Sequence, residues 1–213
     1  MAEKKSSIER RTLAIELRMA EPGEGEAQAP IIEGHAAVFD QESEELGFYF
    51  PFREKFRPGA FAETIQKDDI RALFNHSPNY VLGRNMAGTL SLEEDETGLK
   101  VRITPPDTQF ARDLATSIKR GDINQMSIGF QVLSQRWYME EGIDIREVTK
   151  AKLFDVSPVT FPAYPQTDVS ARSIEDVYQR HKAEEAEQNQ AHQMRQQMKL
   201  YGRKLDIMEK EAQ

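Results

Sequence analysis

The sequence predicts an α+β fold, mainly β, with a few helices flanking a strand core and a C-terminal helical or disordered tail. Three observations carry this. Apolar and polar residues alternate with period two over several stretches, as strand side chains do. Two of those stretches, beginning at Gln125 and ending at Pro158, are arranged to pair as a hairpin. From Ser173 onward the composition changes: 173–213 has no proline, a single glycine (Gly202) and many Glu, Gln, Lys and Arg residues.

Taken in order, Leu13, Ile15, Leu17 and Met19 alternate with polar or small residues and read as a strand over 12–19. A Glu/Gly/Pro/Ala linker (21–30) follows, then a strand from Ile31 to Phe39. Residues 42–58, acidic and then aromatic, read as a loop that needs packing partners to order. Pro58-Gly59 marks a turn before a short helix at 60–66. Ile70–His76 reads as a strand ended by Ser77-Pro78-Asn79. Residues 88–92 and 99–104 form a hairpin across Asp95-Glu96-Thr97-Gly98, whose acidic approach (Glu93–Glu96) reads as a solvated tip. Asp107 or Thr108 caps a helix with apolar positions Phe110, Leu114 and Ile118, and Gly121 stops it. Met139–Gly142 is the turn between the two long strands, and Pro158, Pro162 and Pro165 end regular structure. The tail is too sparse in apolar residues for a strong stripe, which suggests a solvated helix ordered only against a partner.

Composition narrows the function classes. The 213 residues hold no cysteine, so thiolate metal sites and a cysteine nucleophile are excluded. With 28 basic against 36 acidic residues, net −8, broad binding to a nucleic-acid backbone is disfavoured. Apolar runs are too short to span a membrane, and Met1–Ser7 lacks the apolar segment of a signal peptide. The expectation is a soluble intracellular protein. No metal-ligand spacing and no phosphate loop occurs, so neither a metal nor another cofactor is expected.

The chemistry lies on the paired strands. On the first, Met126, Ile128 and Phe130 face one way while Ser127 and Gly129 face the other; on the second, Asp155 and Ser157 oppose Val156. With a turn centred near residue 141, Ser127 pairs with a position near 155. Gly129, beside Ser127 on the same face, leaves space for a substrate backbone or marks a bend. A nucleophilic serine needs a base, and the base needs an orienting acceptor. Of four histidines, His181 and His192 lie in the polar tail and His35 in a strand where a surface position suffices. His76, before Ser77-Pro78, is placed to project from a sheet edge; a hydrogen-bonded structural histidine is the other reading. There is no Gly-x-Ser-x-Gly elbow, which disfavours an esterase of the α/β-hydrolase type.

Seven ordered blocks make the pattern specific: Glu33–Phe39, Phe56–Phe61, Ala72–His76, Val81–Arg84, Arg120–Ile123, Met126–Phe130 and Asp155–Ala163. Together, over roughly residues 10–170, the chain resembles the prohead (capsid maturation) proteases of tailed bacteriophages, which are related in fold to the herpesvirus maturation proteases. The resemblance implies an antiparallel, β-barrel-like serine protease core over 11–172, after a disordered N-terminus (1–10) and before a charged tail (173–213). It implies a serine endopeptidase that cleaves the scaffold, the major capsid protein and itself inside a portal-containing prohead in the host bacterial cytoplasm. The alternative is a catalytically silent, scaffold-associated protein of the same fold.

By matching position the family's histidine falls on His76 and its serine on Ser127. The third member is Asp155, which stands where the herpesvirus enzymes carry a second histidine, with Glu147 as the alternative. Backbone groups at Ala163 and Tyr164 are the oxyanion-hole candidates, and Arg84 is either a substrate-steering group or an ordinary ion pair. The herpesvirus relatives also suggest homodimerisation.

Overall fold

The computed structural model describes residues 8–13, 17–20, 30–47, 51–161 and 168–211. The chain forms a strand-rich α+β unit from its start to Ile174, and a second unit from Glu175 onward. In chain order the strands are β1 (Glu9–Leu13), β2 (Arg18–Ala20), β3 (Ile31–Val38), β4 (Phe52–Phe56), β5 (Arg71–Phe74), β6 (Ser77–Arg84), β7 (Leu90–Glu94), β8 (Gly98–Ile103), β9 (Gln125–Glu140) and β10 (Ile143–Val159). The helices are α1 (Thr64–Lys67), α2 (Gln109–Arg120) and α3 (Asp168–Glu211).

Two sheets share the first unit. One runs β1-β9-β10-β5-β6, with β4 also on β10; the other runs β2-β3-β8-β7. Neither strand order returns to its start among the described residues, so the expected barrel is two open sheets. Nor is the larger sheet purely antiparallel, because β10 takes β9 antiparallel on one side and β4 and β5 parallel on the other. Ile32, Leu99 and Val101 of the smaller sheet, Leu114 and Ile118 of α2, and Met126, Ile128, Phe130 and Val156 of the larger sheet form one buried cluster. Burying such side chains stabilises the unit by roughly 1.5–3 kcal/mol each.

Several elements follow the sequence expectations. Thr108 caps α2 by accepting a hydrogen bond from the Ala111 N–H, and Gly121 closes it at φ 82°. Glu141 and Gly142, at φ 51° and 84°, make the tight turn between β9 and β10.

Other elements differ, each for a physical reason. The single strand expected over 12–19 is two strands, β1 and β2, in different sheets, with 14–16 outside the described residues. Glu9 and Arg10 belong to β1 rather than to a disordered terminus. The expected loop over 42–58 contains β4, because Phe52 and Phe56, both buried, pack against the half-buried Trp137 and against Phe61 and Phe130. Ser77-Pro78 begins β6 instead of ending a strand. This strand ends the path of its sheet, and an edge is where a residue without an N–H is tolerated. The acidic tip of the β7–β8 hairpin is not merely solvated. The Glu94 carboxylate accepts from the backbone N–H groups of Gly59 and Phe61, and Asp95 accepts from Thr97 and Gly98. The linker at 21–29, the aromatic residues 48–50, and Pro162 and Pro165 lie outside the described residues.

A buried ionic group ties the N-terminal strand to this unit. Arg146 donates to Glu9 and Glu54 at 2.6–2.9 Å, and Arg11 donates to the same two carboxylates at 2.7–3.2 Å. Glu54 faces inward on β4 between Phe52 and Phe56 only because two guanidinium groups from β1 and β10 meet it there.

In α3, Met194, Met198, Leu200 and Tyr201 are exposed. Among the described residues no helix is long and apolar enough to cross a membrane.

Candidate active site

The site is built by the β9–β10 hairpin and by the tip of the β5–β6 hairpin. Strand β9 lies between β1 and β10, so Met126 to Phe130 are all buried and Ser127 is 0% exposed. Across the ladder Leu153 pairs with Phe130 but Asp155 pairs with Gly129, which leaves Phe154 as an extra residue, a β-bulge. The bulge advances β10 by one residue and the turn is centred between 141 and 142, so Ser127 stands opposite Ser157 rather than a position near 155. Ser127, Gly129, Asp155 and Ser157 consequently share one face of the hairpin.

His76 comes from the other side of β10. Strand β5 runs parallel to β10, with Arg71 opposite Asp155 and Ala72 opposite Val156. It turns into β6 through Asn75 and His76 alone, since Phe74 and Ser77 are already paired. Both turn residues have positive φ, 51° and 55°, as a two-residue type I′ turn requires of its central pair. Asn and His are among the non-glycine residues that enter this region most readily.

The three side chains meet in a continuous chain of hydrogen bonds. His76 Nδ1 lies 2.7 Å from Asp155 Oδ1, and His76 Nε2 lies 2.7 Å from Ser127 Oγ. An ionised carboxylate only accepts, so the proton belongs on Nδ1, which leaves the Nε2 lone pair to accept from the serine hydroxyl. Asp155 Oδ1 also accepts from Ser157 Oγ at 2.7 Å. The imidazole and carboxylate side chains are only 11% and 13% exposed, so little water competes for their bond.

Gly129 has a different use from the one expected. A Cβ built there would overlap Asp155 Oδ2, so the missing side chain makes room for the carboxylate and not for a substrate. Ser157 is the residue that sequence reasoning missed. Its only signal was period two, which puts it on the face of Asp155.

The remaining candidates stand elsewhere. Glu147 pairs on β10 with Arg136 at 3.1 Å and makes no bond to His76, so of the two carboxylates it is Asp155 that meets the imidazole. Arg84 forms a two-point ion pair with Asp69 at 2.8 and 2.7 Å, an ordinary pair rather than a free cation. The bonds from Arg84 and Arg71 hold the Asp69 carboxyl well below the usual range. His35 is bonded to Asp95 and His192 to Gln196. Ala163 and Tyr164 lie outside the described residues. Among the described residues no group of three or more potential metal ligands gathers.

With this geometry established, comparison with known proteins gives the family. The family model described as Caudovirus prohead serine protease matches residues 14–180. The chain belongs to that family. A similar relative is the prohead protease of Enterobacteria phage HK97, 30% identical over 159 residues, which are 72% of this chain and 65% of that protein. The alignment thus spans a little less than two thirds of the relative's length. Among solved structures, the bacteriophage T4 capsid assembly protease, gp21, is similar over 71% of this chain and 98% of its own, with TM-score 0.45 and 14% identity.

Proposed function

We propose that this chain is a serine endopeptidase of phage capsid maturation, with Ser127 as nucleophile, His76 as general base and acid, and Asp155 as the group that orients and stabilises the imidazole. The observation that carries the reading is the unbroken relay from Ser127 Oγ through both His76 nitrogens to Asp155, each link 2.7 Å. Family membership gives the biological setting.

The chemistry follows from the relay. As Ser127 Oγ attacks the scissile carbonyl carbon, its proton passes to His76 Nε2, and the imidazolium formed is stabilised by the Asp155 carboxylate. The same proton then goes to the leaving amine. Water, activated by His76 in the reverse sense, hydrolyses the acyl-serine. The carbonyl oxygen needs N–H donors as it becomes an oxyanion, assigned in this reading to the backbone of Ala163 and Tyr164. The substrates are the major capsid protein, the scaffold and this chain itself, cleaved within the prohead in the bacterial cytoplasm.

Treatment of the purified full chain with diisopropyl fluorophosphate tests the nucleophile. The reagent is small enough to suit a serine that is 0% exposed. Peptide mapping should find one organophosphoryl adduct, on Ser127, that is lost in His76→Ala. A chain that stays unmodified, or that is modified equally in His76→Ala, would favour a silent assembly protein instead.

A further inference from the structure

The residue before the histidine is bonded far more tightly than a turn requires. Asn75 N–H donates to the Pro158 carbonyl at 3.0 Å, Asn75 Nδ2 donates to Thr160 Oγ1 at 3.1 Å, and Asn75 Oδ1 accepts from the Thr160 N–H at 2.9 Å. These three bonds fasten the tip of the β5–β6 hairpin to the end of β10, the strand that carries Asp155 and Ser157. Strands β5 and β10 are otherwise paired only at Arg71–Asp155 and Ala72–Val156, two positions well before the turn. Without the clamp, His76 would ride on a hairpin tip whose turn residues both occupy the left-handed region.

We infer that Asn75 is a positioning residue that, with Thr160, sets the distance between the His76 imidazole and the Asp155 carboxylate. This rests on the reading of Ser127, His76 and Asp155 as the reacting groups. Asn suits the position twice over. It tolerates positive φ, and its amide presents a donor and an acceptor in one plane, matching the hydroxyl and the N–H of a single threonine. A relay whose links are both 2.7 Å leaves little room for a moving tip, and an error of about 1 Å in such a geometry can cost on the order of 100-fold in rate.

Three variants of the full chain separate the clamp from backbone strain. Asn75→Gly keeps the turn conformation accessible but removes both side-chain bonds. Asn75→Asp keeps an acceptor for the Thr160 N–H and accepts from the Thr160 hydroxyl. Thr160→Val removes only the hydroxyl. Two readouts are needed: the low-field proton resonance of His76 Nδ1–H bonded to a carboxylate, and the rate at which diisopropyl fluorophosphate modifies Ser127.

Asn75→Gly should lose the resonance and slow modification by about 10- to 100-fold, with the circular dichroism of a folded chain. Thr160→Val should fall between it and wild type, and Asn75→Asp should restore both signals. Should Asn75→Gly fail to fold, the intermediate loss in Thr160→Val carries the test. Wild-type resonance and rate in Asn75→Gly, or in Thr160→Val if that is the folded variant, would overturn the inference, and so would a wild type without the resonance. A wild type that shows the resonance yet is never modified and cuts no peptide would instead remove the protease reading, while the resonance comparison still decides the clamp.

Discussion

Gly129 stands directly across the β9–β10 ladder from Asp155, and the space where its side chain would be is occupied by the Asp155 carboxylate. That pairing exists only because the bulge at Phe154 advances β10 by one residue. Without it, Asp155 would meet a different partner and the carboxylate would not lie beneath His76.

Gly129→Ala should therefore act on the site more than on the fold. The added methyl displaces a carboxylate that is held by His76 and Ser157, so the orienting bond is lost while the surrounding ladder survives. Peptide cleavage should fall by about 100-fold or more with a thermal midpoint within a few degrees of wild type. Equal activity in the alanine variant would show that the carboxylate has another place to go.

Asp155→Asn and Glu147→Gln distinguish the two carboxylates considered for the third position. An amide at 155 can hold the imidazole in the wrong tautomer, a change worth roughly 10⁴-fold in kcat in a serine protease triad. Glu147 is bonded to Arg136, which is largely exposed, so its amide variant should keep cleavage within about twofold of wild type. Rates measured on one peptide substrate decide it, and a reversed order would reassign the role.

Ser157→Ala removes the second hydrogen bond to Asp155 Oδ1. A bond to a charged group is worth about 1.5–3 kcal/mol, so kcat should drop by about 10- to 100-fold with KM little changed. The loss should be smaller than that of Asp155→Asn, because the imidazole keeps its partner.

Stability should depend on the buried ionic group. Arg146→Met leaves Glu9 and Glu54 with Arg11 alone, and breaking such a buried pair costs about 3–5 kcal/mol, readable as a lower urea midpoint at unchanged slope. Burial pushes the Glu9 carboxyl up, but the bonds and charges of Arg146 and Arg11 outweigh it and hold it below its ordinary 4.5. A folded-state value below the unfolded one means that this stabilisation is fully present above about pH 4.5 and is lost as the pH falls through the folded value. Urea midpoints should therefore decline below that pH, and less steeply in Arg146→Met. A midpoint independent of pH between 3 and 6 would contradict this.

The parts of this molecule that were legible in its sequence are those set by local rules. Period-two alternation disclosed β9 and β10, Thr108 and Gly121 bracketed α2, and the ordered blocks singled out His76, Ser127 and Asp155. What stayed hidden depends on distant partners. Strand β4 could not be read because Glu54, an inward-facing charge between Phe52 and Phe56, makes sense only once Arg11 and Arg146 arrive from β1 and β10. Pro78 looked like a strand end until β6 proved to be an edge. The bulge at Phe154 has no glycine or proline to announce it, and together with a turn centred between 141 and 142 it moves the partner of Ser127 from near 155 to Ser157, which hides the roles of Gly129, Ser157 and Asn75.

The most direct test compares the proposed cleavage of the capsid protein by the wild type with that by a chain lacking only the Ser127 hydroxyl. The full-length wild type and Ser127→Ala are each co-expressed with the major capsid protein encoded alongside it, and every product is weighed by intact mass spectrometry. A shortened capsid protein is expected with the wild type and an uncut one with Ser127→Ala. Identical product masses in the two cultures would contradict it.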